Sequence, residues 1–207
     1  MLKKNARAAA FFAVLVVAAS WVVAASWSTA STGGEGPPLR GIFADNFTLL
    51  EEPVPAPQAP LIVADGETVT LAAFAGRVVL LNFWATWCGP CVREMPSLDR
   101  VQAALAEDGL LVVAVSQDRG GLKQVEPFFA EQKLAHLGIF LDPKGKFARE
   151  FAVRGLPTTM LIDRQGRLVG GLEGPAEWDE PDAVALIRHY LEQGVPVDEE
   201  RPVETSG

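Results

Sequence analysis

One stretch constrains this chain more than any other. The seven residues from Val78 to Trp84 carry a single polar side chain, Asn82, and Cys88-Gly89-Pro90-Cys91 follows almost at once. The apolar run Val78-Val79-Leu80-Leu81 suits a strand buried on both faces. The pattern that follows predicts a helix starting near Cys88 or Gly89. Val92, Met95, Leu98, Val101 and Leu105 then fall on one side of it. Pro96 lies inside this helix and is expected to kink it. A strand that needs cover on both sides, followed directly by an amphipathic helix, calls for a layered α/β domain.

The rest of the chain fits that frame. Leu61-Ile62-Val63 and Thr68-Val69-Thr70 flank Asp65-Gly66, a hairpin signal. Leu110 to Val115 reads as a second buried strand and Leu122 to Lys133 as a helix. A short strand is expected at Gly138 to Leu141 and a helix over Lys144 to Val153. Thr158 to Ile162 and Leu168 to Leu172 form a hairpin around Gln165-Gly166, and Pro181 to Gln193 closes as a helix with Pro181 in its first turn. The expected architecture is a mixed central sheet covered by helices, occupying residues 61–193. Residues 31–60, whose Gly and Pro exclude a regular helix or an inner strand, read as a tether, with packing of Ile42 to Leu50 on the domain edge left open, and 194–207 as a flexible acidic tail.

The N-terminus sets the compartment. Lys3, Lys4 and Arg7 precede an uncharged run from Ala8 to Trp27. As a helix that run extends about 30 Å, the thickness of a hydrocarbon core. Residues 1–30 therefore read as a single-pass anchor with the basic end inside, which puts the domain outside the cytoplasmic membrane. A cleaved signal peptide is the alternative, with Ala24-Ala25-Ser26 and Ser28-Thr29-Ala30 as small-residue sites; it exports the domain equally. The formal net charge is −8, and the basic N-terminus makes the remainder more acidic still. Nucleic acid is thereby a poor partner, since phosphates would be repelled.

The two cysteines are the only ones in the chain. A disulfide-stapled fold would need more. A zinc site needs about four ligands, and His136 and His189 are distant from the pair in sequence. A structural disulfide over so short a loop stabilises little. Redox exchange is the reading taken, with Cu(I) carriage by the dithiol as the alternative. At a helix N-terminus the first thiol meets unsatisfied N–H groups and the positive end of the dipole, and both favour thiolate. Cys88 is then the attacking sulfur and Cys91 the resolving one. Gly89 permits close approach of a client backbone, and Pro90 fits the first helical turn.

The segment Asn82-Phe83-Trp84-Ala85-Thr86-Trp87-Cys88-Gly89-Pro90-Cys91 resembles the active-site segment of thioredoxin-fold proteins. Its continuation Val92-Arg93-Glu94-Met95-Pro96-Ser97-Leu98 is similar to the TlpA/ResA-like branch of membrane-anchored thiol:disulfide oxidoreductases. Gly155-Leu156-Pro157-Thr158-Thr159 matches the loop that carries a cis-proline beside the cysteines, and Gly174-Pro175-Ala176-Glu177-Trp178 resembles the TlpA side of the branch. The segment from Gln117 to Asp142 looks like this branch's strand-helix insertion. The resemblance implies a thioredoxin fold with an N-terminal hairpin. It implies an acid/base role for Glu94, one turn past Cys91, where ordinary thioredoxins use an aspartate at the place of Asn82. It also implies a cis Pro157 that offers the Leu156 backbone to a client, with Trp87 adding apolar surface. Trp84 is expected in the core.

The resemblance further implies a periplasm-facing reductase that needs no cofactor beyond the Cys88–Cys91 disulfide and no metal. Its electrons would come from a membrane thiol carrier of the CcdA/DsbD type. Expected clients are proteins with cysteine pairs: a copper-assembly protein or oxidase subunit during cytochrome oxidase assembly, or apocytochrome c before haem attachment. An anchored scaffold with a vestigial site is a third possibility.

Overall fold

The computed structural model describes residues 36–193. The expected anchor over 1–30 and the acidic tail over 194–207 lie outside the described residues. Among the described residues no helix is long and apolar enough to cross a membrane.

In chain order the elements are α1 (Ile42–Asn46), β1 (Phe47–Pro55), β2 (Leu61–Val63), β3 (Thr68–Val69), a 3-10 turn (Leu71–Phe74), β4 (Val78–Trp84), α2 (Gly89–Leu105) and β5 (Leu110–Ser116). They continue with α3 (Leu122–Gln132), β6 (Phe140–Leu141), α4 (Lys146–Glu150), β7 (Thr158–Ile162), β8 (Arg167–Glu173) and α5 (Pro181–Glu192). One sheet has the order β1-β8-β7-β4-β5-β6-β2-β3. β4, β5 and β6 run parallel; β7 and β8, on one side, and β2, on the other, pair antiparallel.

The central strand β4 is buried at every position. Because successive side chains alternate faces, it serves two cores. Val78, Leu80 and Trp84 pack with Met95, Leu98 and Val101 of α2, Val125 and Phe129 of α3, and Leu186 and Ile187 of α5. Val79, Leu81 and Phe83 pack on the other face with Leu71, Phe147 and Phe151. Asn82 belongs to the first set by register, so the one polar side chain of the strand points at the same layer as α2. That helix runs through Pro96 to Leu105 and buries Met95, Leu98, Val101 and Leu105 as its periodicity predicts. It also buries Glu94, Ser97, Asp99 and Gln102, which the apolar pattern does not reveal.

The sheet extends beyond the expected domain boundary. Residues 31–60 are not simply a tether: Phe47 to Pro55 form the edge strand β1, antiparallel to β8, and Phe43 and Phe47 are buried. The prolines, which exclude a regular helix or an inner strand, are accommodated at this edge. The register shifts between Leu49 and Val54, so Pro53 falls in the irregularity, and Pro55 ends the strand. An edge strand tolerates both, because its outer N–H groups have no partner to lose. Gly170 makes the pairing possible, since a Cβ there would stand 2.5 Å from the Thr48 carbonyl oxygen. Two expected elements are shorter than their patterns. The strand at 138–141 is confined to β6. Helix α4 stops at Glu150, where the chain turns through Ala152 at φ 52° and Val153 N–H returns to Ala148 O at 3.1 Å.

Candidate active site

The site forms where β4 ends. A short loop links Trp84 to α2, and it is held from beneath by Asp118, itself buried. The Asp118 carboxylate accepts from Thr86 N–H (2.9 Å), Thr86 Oγ1 (2.7 Å), Ser116 Oγ (2.8 Å) and Gln124 Nε2 (2.7 Å). Trp84 is fully buried against Phe128 and Phe129, with ring centroids 5.0 and 5.9 Å away. Trp87, three residues on, is 69% exposed.

Cys88 is the N-cap of α2, and its Sγ accepts from Cys91 N–H at 3.3 Å. The cysteines are joined as a disulfide, with their Cα atoms 5.2 Å apart. The two sulfurs are not equivalent. Cys88 retains 7% exposure and lines a surface groove, whereas Cys91 is wholly buried. Only Cys88 can be reached by another protein, and Cys91 lies beneath it. In the reduced state the helix N-terminus that now supports Cys88 Sγ would stabilise a thiolate there.

Trp87, Cys88, Gly89, Pro90 and Leu156 line one groove of about 630 Å³. Leu156–Pro157 is a cis peptide bond, and Pro157 is buried behind the groove. The Leu156 backbone makes no hydrogen bond to other backbone among the described residues, whereas Pro157 O accepts from Gly174 N–H at 2.9 Å.

Glu94 does not line that groove. It is 1% exposed, inside a polar cluster between α2, β4, β7 and the loop before α5. Asn82 Nδ2 donates to Glu94 Oε1 (2.6 Å) and to Thr159 Oγ1 (2.9 Å), and Ala176 N–H donates to Glu94 Oε2 (3.1 Å). Ser97 Oγ ties the same loop down by accepting from Trp178 N–H at 3.0 Å while donating to Glu94 O at 2.7 Å. Burial raises the Glu94 carboxyl to about 7, against the lowering effect of the Ala176 and Asn82 donors. A carboxyl so placed exchanges its proton in the neutral range. On its other side the residue borders a small cleft of about 260 Å³ with Ile42, Arg93 and Pro175.

Sequence reasoning passed over the far wall of the groove, where Gln117, Arg149 and Arg154 stand, and the anchoring role of Asp118. None sits in a motif; each reaches the site through sheet order. His136 Nδ1 pairs with Asp99 at 2.9 Å. Among the described residues, no group of three or more His, Cys, Asp or Glu is placed to hold a metal ion.

Known proteins resemble this chain in sequence and fold. The redoxin family model matches residues 50–187. Thiol-disulfide oxidoreductase ResA of Bacillus thuringiensis subsp. konkukian is 29% identical over 158 residues, covering 75% of this chain and 87% of that protein. ResA of Bacillus cereus is 30% identical over 141 residues, covering 68% and 77%. The crystal structure of a DsbE-like protein from Chlorobium tepidum superposes with a TM-score of 0.62 at 34% identity, covering 69% of this chain and 99% of that one. With the disulfide, the groove and the strands β2 to β8 all inside the matched segment, the chain belongs to the redoxin family and is a thiol:disulfide oxidoreductase of the TlpA/ResA-like kind.

Proposed function

We propose that this protein is an extracytoplasmic protein-disulfide reductase, held at the inner membrane by residues 1–30 with its domain facing the periplasm. The observation that carries the reaction is the asymmetry of the sulfurs: Cys88 accessible at a helix N-terminus, Cys91 buried beneath it. In the reduced protein the Cys88 thiolate attacks one sulfur of a client disulfide. The other client sulfur leaves as thiolate, and a mixed disulfide forms. Cys91 then loses its proton and attacks Cys88 Sγ, expelling the second client sulfur. The client gains two electrons, which with two protons make two thiols, and the protein is left as the Cys88–Cys91 disulfide. No cofactor beyond that disulfide takes part, and no metal.

Glu94 is the acid/base for the resolving step. It stands one turn after Cys91 and titrates near neutrality, so it can accept a proton and later return it. Leu156 offers unpaired backbone to an extended client segment, and Trp87, Gly89 and Pro90 give it an apolar, closely approachable floor. The Gly-Pro pair between the cysteines supplies no further cation to stabilise the thiolate. The potential therefore lies toward the thioredoxin end, about −270 mV, and away from DsbA at about −120 mV. Continued turnover requires a membrane thiol donor of the CcdA/DsbD type. The clients are proteins that present a cysteine pair during cytochrome oxidase copper-site assembly or cytochrome c maturation.

Trapping tests this reading. A Cys91→Ser chain expressed in the cell envelope should accumulate mixed disulfides on Cys88 with such proteins, and a redox titration should give a reducing potential. An absence of trapped clients, or a potential near that of DsbA, would overturn it.

A further inference from the structure

The groove beside Cys88 has a charge opposite to that of the chain. The whole sequence carries −8, yet no carboxylate lines this groove, and Arg149 and Arg154 do. Neither guanidinium is in an ion pair among the described residues, and both residues are exposed. Arg149 is held by a single bond, from Nη1 to Lys144 O at 3.0 Å, which leaves most of its donors free. Beside it, Gln117 Nε2 is buried and has no acceptor among the described residues. A buried amide donor without an acceptor is costly, and a carboxylate in the groove would meet that donor and two guanidinia that have no ion-pair partner among the described residues.

We propose that this groove selects client segments in which an acidic side chain flanks the target cysteine, with Arg149 and Arg154 pairing to the carboxylate and Gln117 Nε2 donating to an oxygen of the same segment. This rests on the reductase reading and deepens it. Cys88 performs the exchange, and the 149–154 wall decides which disulfide is presented to it. The rest of the acidic surface repels such a client, so its favourable approach is confined to the site.

The test uses the full-length chain in detergent, reduced beforehand, and three disulfide-bonded peptides identical except for the residues flanking one cysteine: Asp, Gln or Lys. Disulfide reduction is followed by stopped-flow tryptophan fluorescence at low and high salt. The Asp peptide should react about two- to fivefold faster than the Gln peptide for each arginine engaged, and the Lys peptide slower than either. The order should collapse in 0.5 M salt and in the R149Q/R154Q variant. The Asp:Gln ratio is the readout, because any general change in Cys88 reactivity cancels from it. Equal rates for the three peptides, or an undiminished order in the variant, would overturn the selection. A Gln peptide that is not reduced at all would instead overturn the reductase reading.

Discussion

Replacing Glu94 by Gln isolates the effect of one buried carboxyl. Two N–H donors hold it, Asn82 Nδ2 at 2.6 Å and Ala176 N–H at 3.1 Å, and the Trp178 side chain lowers it further, yet burial prevails and holds the carboxyl at about 7 instead of 4.5. Such a displacement corresponds to about 3 kcal/mol. Between pH 4.5 and 7 the folded chain keeps this proton while the unfolded chain has lost it. The stabilising contribution is therefore complete below about 4.5 and is lost as pH rises through about 7. Glutamine has the same shape and no proton to lose. The neutral side chain is also accommodated: Asn82 Oδ1 has no donor among the described residues, so a flipped Asn82 amide can accept from the NH2 group of the introduced glutamine. Urea unfolding of the oxidised full-length chain in detergent, wild type beside E94Q, measures the difference. Wild-type stability relative to E94Q should fall by about 3 kcal/mol between pH 4 and pH 8. A difference that stays flat within about 0.5 kcal/mol would refute the reasoning, because Glu94 would then titrate as an ordinary carboxylate. In the same variant the rise of thiol exchange near pH 7 should move to higher pH; an unchanged profile rejects the acid/base role.

Other consequences are open to measurement. Asn82→Asp sets a second carboxyl in hydrogen-bond contact with Glu94, so the variant should lose about 2–4 kcal/mol at pH 8 and much less at pH 5, read by denaturant unfolding. Asp118→Ala leaves Thr86 N–H without its acceptor and frees the loop before Cys88. A loss of about 3 kcal/mol and faster hydrogen exchange at Thr86 and Trp87 are expected, and unchanged exchange would show that the loop needs no such anchor. Gly170→Ala drives a Cβ into the Thr48 carbonyl, so limited proteolysis should cut between residues 48 and 60 while the remaining sheet stays folded. Resistance equal to wild type would mean that β1 is not held by close backbone approach.

Much of the fold was legible because its signals are local. The β4 run, the strand read over 110–115, the hairpin around Gln165-Gly166 and the helix from Pro181 are written in periodicity and turn residues, and they stand within a residue of where those patterns put them. β1 was not read as a strand because its prolines exclude an inner place, and the edge place it takes depends on a distant glycine in β8. The mixed sheet itself followed from alternation of element types.

The sequence by itself determined the chemistry: two cysteines one helical turn apart, at the end of a strand that must be buried. That pairing depends on near neighbours, and near neighbours are what periodicity encodes. The tertiary structure decided which groups surround it. Glu94 meets Ala176 across 82 positions and Asn82 meets Thr159 across 77, while Arg149 and Arg154 line the same groove as Cys88 only in the folded chain, where β7 pairs with β4. Those distances depend on strand order, for which a short stretch of chain carries no periodic signal. The burial that raises Glu94 and the charge of the groove therefore arise only in the folded sheet.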